Sequence, residues 1–112
     1  MGSLKRGDVV TIAGGKGDYG SKPRPAIIIQ SDIFNELKSI SVLPLTSHIE
    51  DAPVFRVVIE PDKSNGISKL SQAMVDKIMP VRKEKISGII GKINRKLMIK
   101  IESAIAIFYG IA

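Results

Sequence analysis

Pro23-Arg24-Pro25-Ala26-Ile27-Ile28-Ile29-Gln30-Ser31-Asp32 decides the architecture of this 112-residue chain. Residues 26–29 are apolar without alternation, so a strand over residues 25–30 must be covered on both faces and lie centrally. Arg24 stands between two prolines, which push it toward extended backbone and fix the φ angles beside it. A cation held so stiffly at a loop–strand junction marks a candidate site, since loops on a rigid scaffold carry much of protein chemistry. The alternative is a solvated arginine at a strand edge. Ser31-Asp32 supplies a cap for a short helical turn reaching Leu37.

Outward from this strand the elements are short and the turn signals close. Residues 7–13 read as a first strand, followed by a loop from Gly14 to Pro23 with four glycines. Ser39 to Leu45 alternates as a third strand, with Pro44 expected near an edge or bulge because it lacks an N–H. A polar loop spans residues 46–53. Val54 to Glu60 sets Phe55, Val57 and Ile59 on one face. Asn65-Gly66 is a hairpin signal, and residues 72–79 read as one strand with Met74, Asp76 and Ile78 on a shared face. An acid between two apolar neighbours requires a partner; Arg24 is one possibility. Residues 83–87 read as a helical turn, and Ile89-Ile90 with Ile93 as a short strand or bend. Asn94 caps a final helix over residues 95–109, stopped by Gly110. Its apolar positions Leu97, Met98, Ile101, Ala104, Ile105 and Phe108 have helical spacing and are expected in the core. Five or six strands and one long C-terminal helix predict a single, mainly-β α+β domain spanning residues 1–112.

Composition bounds the function. With no cysteine there is neither a disulfide framework nor a thiolate metal site, and one histidine excludes a His-rich metal cluster. Neither a membrane span nor a signal-peptide core is evident, so the expected location is the cytoplasm. Five aromatics provide no broad platform for base stacking. The net charge of +6 lies in the second half: residues 1–60 carry seven basic and seven acidic side chains, residues 61–112 ten and four. Such asymmetry points to a polyanion or an acidic protein partner, the alternative being a solvated basic face.

Gly14-Gly15-Lys16-Gly17 lacks the Lys-Ser/Thr ending and following helix of a phosphate loop, and no catalytic signature is present. Polar residues at strand ends remain: Arg24, Thr46-Ser47-His48 and Asp76-Lys77. Arginine offers a fork of donors to phosphate oxygens, threonine a further hydroxyl donor, and a carboxylate can orient the guanidinium or take a proton. Such a set can cleave RNA with the RNA's own 2′-hydroxyl as nucleophile. His48 alone reads as a loop histidine rather than a base, since no partner for it is visible.

Gly7-Asp8-Val9-Val10, Asp18-Tyr19-Gly20, Pro23-Arg24-Pro25-Ala26 and Gln30-Ser31-Asp32 resemble the MazF/PemK family of toxin endoribonucleases. The resemblance continues through Val42-Leu43-Pro44-Leu45-Thr46-Ser47, Asn65-Gly66, Met74-Val75-Asp76-Lys77-Ile78 and Phe108-Tyr109-Gly110. It implies an SH3-like small barrel, related to the gyrase-poisoning toxin CcdB, with a long C-terminal helix. It also implies a homodimer that cleaves single-stranded RNA at short motifs without a cofactor or metal. The products implied are a 2′,3′-cyclic phosphate and a 5′-hydroxyl, and the inhibitor a cognate antitoxin with an acidic, partly disordered tail. By motif, Arg24 and Thr46 match the catalytic pair; Ser47, Asp76, Lys77, Tyr19 and His48 are the residues expected to contact substrate. Lys22 before Pro23-Arg24 and Met74 before Asp76 depart from the pattern of many members. A non-enzymatic gyrase poison and a non-catalytic RNA-binding barrel are the competing readings.

Overall fold

The computed structural model describes residues 3–13 and 23–111. Among the described residues seven strands are formed: β1 (Asp8–Ile12), β2 (Arg24–Ile28), β3 (Ser39–Thr46), β4 (Arg56–Ile59), β5 (Ser71–Met74), β6 (Met79–Arg82) and β7 (Ile86–Lys92). One helix, α1 (Arg95–Phe108), follows. All pairings are antiparallel, in the order β4-β5-β3-β2-β1-β7, with β6 also on β3. A 3-10 turn, Lys83–Lys85, links β6 to β7 and receives the Ala13 N–H at the Lys85 carbonyl. The sheet therefore curls back on itself as a small barrel.

The uninterrupted apolar run of β2 does what its pattern requires. Ile27 enters a core with Val9, Leu43, Leu45 and Ile59, on which the helix lays Met98, Ile101 and Ala104. Ala26 and Ile28 face the other way, into a second core with Val10, Ile40, Val42, Val81 and Ile86. Each fully buried Ile or Val stabilises the fold by about 1.5–3 kcal/mol. Phe108 is the helical position that departs from core packing: it is half-exposed, its ring 5.7 Å from that of Phe55. Asn94 caps the helix by accepting the Leu97 N–H (2.8 Å), and Gly110 leaves it at φ +72°.

Two expectations are corrected. Pro44 is not at an edge: β3 is paired on both sides, and Pro44 lies opposite Ala26 of β2. On its other side β3 pairs with β6 as far as Val42 and with β5 from Leu45, so the proline falls in the gap where no donor is needed. The strand read over residues 72–79 is broken by a 3-10 turn at Val75–Lys77, where the chain leaves β5 for β6. The hairpin signalled by Asn65-Gly66 is formed: β4 and β5 pair antiparallel across a loop longer than two residues, with Gly66 at φ +70°. Asn65, 1% exposed, is that loop's internal brace: its side chain accepts from the Asp62 and Ile67 amides and donates to the Glu60 carbonyl.

Candidate functional site

The β2–β3 register pairs Ala26 with Pro44, Ile27 with Leu43 and Ile28 with Val42. The ladder ends there, and two residues beyond it Arg24 pairs with Ile12 of β1 and Thr46 with Gln72 of β5, at adjacent strand ends. Arg24 and Thr46 both line a cavity of about 280 Å³. Thr11 and the two prolines flanking Arg24 form one wall; Ser47 extends the β3 side; Gly66, Ile67, Ser68 and Lys69 close it from the β4–β5 loop, Ser71 from β5 and Ile90 from β7. The lining combines two cations with five hydroxyls over an apolar floor. Such a surface suits a phosphodiester flanked by sugar and base.

Thr46 ends its strand and opens a turn. Its Oγ1 accepts the His48 N–H at 3.1 Å, which leaves the hydroxyl proton to donate elsewhere. Ser68, Lys69, Ser71 and Thr11 were not singled out in the sequence. Thr11 enters from β1 and Ser71 from β5, while the place of Ser68 and Lys69 depends on the β4–β5 loop folding over β7. Gly91 marks that contact: a Cβ there would stand 2.3 Å from the Asn65 carbonyl carbon, so only glycine admits the approach.

Of the other residues expected at the site, Ser47 lines the cavity. His48, Asp76 and Lys77 are not among its lining residues, and Tyr19 lies outside the described residues. Asp76 is paired with Arg56 rather than Arg24. Arg56 Nε and Nη2 donate to the two carboxylate oxygens at 2.9 and 3.0 Å in a bidentate fork. Hydrogen bonding from Arg56 is the main cause that holds the Asp76 carboxyl below its ordinary range, and the same bond raises Arg56. Arg56 is 8% exposed, and Glu50 approaches its Nη1 at 3.7 Å. His48 is 80% exposed, with Nε2 3.8 Å from the Glu50 carboxylate. Lys77 is exposed on the turn behind Asp76.

The PemK-like, MazF-like toxin of type II toxin–antitoxin system family model matches residues 5–109. The chain is 38% identical over 109 residues to a probable endoribonuclease MazF of Mycolicibacterium smegmatis, covering 97% of this chain and 99% of that protein. Among solved structures, a mycobacterial endoribonuclease in complex with its cognate antitoxin superposes with a TM-score of 0.77 at 21% identity, over 97% of each chain. A MazE–MazF structure from Deinococcus radiodurans gives 0.79 at 16% identity, over 99% of this chain and 100% of that one. At these identities the two structures establish a shared fold.

Proposed function

The chain belongs to the PemK-like, MazF-like toxins of type II toxin–antitoxin systems, and from that premise we propose that it is an endoribonuclease acting on single-stranded RNA. The observation that carries the reading is the meeting of Arg24 and Thr46, from two strands, in one cavity with Ser47 and Lys69. The name of the Mycolicibacterium relative supports it.

In the proposed reaction the 2′-oxygen attacks the adjacent phosphorus, forming a 2′,3′-cyclic phosphate as the P–O5′ bond breaks. One proton leaves the 2′-hydroxyl and another reaches the departing O5′ to give a 5′-hydroxyl. The substrate supplies its own nucleophile, so the protein must supply charge stabilisation and proton transfer. Arg24 donates to the non-bridging oxygens as negative charge grows on them. A guanidinium hardly deprotonates, so it stabilises rather than acting as base. Thr46 donates its hydroxyl to the same group, and Ser47 and Lys69 hold the neighbouring sugar–phosphate. His48, exposed beside the Thr46 turn, is the proposed proton carrier. Lys77 contacts flanking RNA, and Asp76, engaged by Arg56, serves the substrate by fixing the turn that presents Lys77.

The partners follow from the same premise: a second copy of the chain, and a cognate antitoxin whose acidic tail matches the basic second half. The antitoxin complex solved for the mycobacterial relative supports that pairing. The test is incubation of purified protein with mixed RNA in EDTA and mapping of the new 5′ ends. Cleavage at a short recurring motif, lost in Arg24→Ala with an unchanged melting temperature, is the expected result. Equal cleavage by Arg24→Ala would sink the assignment.

A further inference from the structure

One buried residue meets both ends of the turn that carries Thr46, the near end through its backbone and the far end through its side chain. Gln72 lies opposite Thr46 in the β3–β5 ladder. Its side chain, in a residue 3% exposed, reaches the far end of the same turn. There Nε2 donates to the Glu50 carbonyl oxygen at 2.8 Å, and the Glu50 N–H donates to Oε1 at 3.0 Å. An amide used in both directions ties down the backbone on either side of the Glu50 Cα, and a buried amide left without these partners is costly. Between the two anchor points lie Ser47, in the cavity lining, and His48, whose N–H occupies one lone pair of Thr46 Oγ1. Arg56, 3.7 Å from the Glu50 carboxylate, supports the same end.

We propose that Gln72 is a positioning residue for RNA cleavage: by clamping the Glu50 peptide it holds the Thr46–His48 turn so that the Thr46 hydroxyl donates into the cavity. The inference rests on the endoribonuclease reading above. Gln72 stands outside the cavity lining and acts through Thr46. A clamp of this kind affects the chemical step more than RNA affinity, because many other groups bind the strand.

The experiment compares wild type, Gln72→Leu, Gln72→Glu and Arg24→Ala on a single-stranded RNA reporter, below the melting temperature of each. It reads kcat, KM and hydrogen exchange at the Glu50 and His48 amides. Gln72→Leu is expected to lose kcat by about 10²-fold, the scale of an ångström's misplacement, with KM within about twofold. Both amides lose protection. In Gln72→Glu, the carboxylate faces the Glu50 carbonyl and repels it at neutral pH. As pH falls the buried carboxyl protonates and its O–H replaces the Nε2–H, so kcat relative to wild type recovers. The charged groups around this cleft are Glu50, Asp51, Arg56 and Lys100, with His48 beyond Glu50. They are present in Gln72→Leu as well, whose pH profile serves as the control for their titration. A Gln72→Leu protein that exposes the Glu50 amide yet keeps kcat within twofold overturns the proposal, as does a Gln72→Glu profile parallel to wild type. Wild type that leaves RNA intact overturns the nuclease reading and this inference with it. Cleavage lost in Arg24→Ala but undiminished in Gln72→Leu overturns this inference alone.

Discussion

Replacing Asp76 by leucine should destabilise the fold more than replacing Arg56 and Asp76 together. In the native protein Arg56, 8% exposed, has two charge-assisted bonds to Asp76 at 2.9 and 3.0 Å and a longer approach from Glu50 at 3.7 Å. Asp76→Leu leaves that guanidinium buried with Glu50 alone. Breaking a buried pair from one side costs about 3–5 kcal/mol. Asp76 keeps 22% of its side chain in solvent and Glu50 remains, so the expected loss is near the lower end, about 3 kcal/mol. A domain of this size should then melt more than about 10 °C lower. Arg56→Met/Asp76→Leu removes both charges and should recover at least about 1 kcal/mol of that loss, a coupling that a double-mutant cycle isolates. The assay is urea unfolding followed by circular dichroism at one fixed protein concentration. Because Arg56 holds the Asp76 carboxyl below its unfolded value, the contribution is fully present above about pH 4. It is lost as pH falls through the lower, folded value, so Asp76→Leu should show a flatter acid limb than wild type. A coupling energy below about 0.5 kcal/mol, or identical acid limbs, would refute the reasoning.

Two further predictions concern the cavity. Lys69→Ala should reduce the slope of log affinity for single-stranded RNA against log salt by about 0.7, the share of one phosphate contact; an unchanged slope places Lys69 off the RNA path. Gly91→Ala forces a Cβ into the Asn65 backbone at 2.3 Å, and it should cost more than about 2 kcal/mol in urea unfolding. Because the displaced loop carries Ser68 and Lys69, RNA affinity should fall in the molecules that remain folded; wild-type stability would contradict the close packing.

The central strand, the capped helix and the alternation of β3 were legible because local pattern and tertiary role agree there. Residues 26–28 read as covered on both faces, and the two cores take their side chains alternately. The break at Val75–Lys77 was not legible. Met74 to Ile78 alternates like a strand, but the turn is imposed from outside the segment. The Val75 N–H donates to the Phe55 carbonyl, and Asp76 turns to Arg56 twenty residues earlier. Periodicity carries no information about such a partner. Arg24 stood out through its flanking prolines, Thr46 as a hydroxyl at a strand end, and both through their family motif. Lys69 did not, since its place depends on a loop braced by Asn65 and seated against Gly91. Gln72 read as an ordinary strand residue, and only the fold brings its amide to the Glu50 peptide.

In the proposed reaction the ribose is the nucleophile at a phosphodiester held by Arg24 and Thr46. The direct measurement uses two RNA oligomers identical except for a 2′-deoxy sugar at the mapped scissile nucleotide. The all-ribose strand should be cut to a 2′,3′-cyclic phosphate and a 5′-hydroxyl, and the substituted strand should bind and remain whole. Cleavage of the 2′-deoxy strand at the same bond would contradict the account.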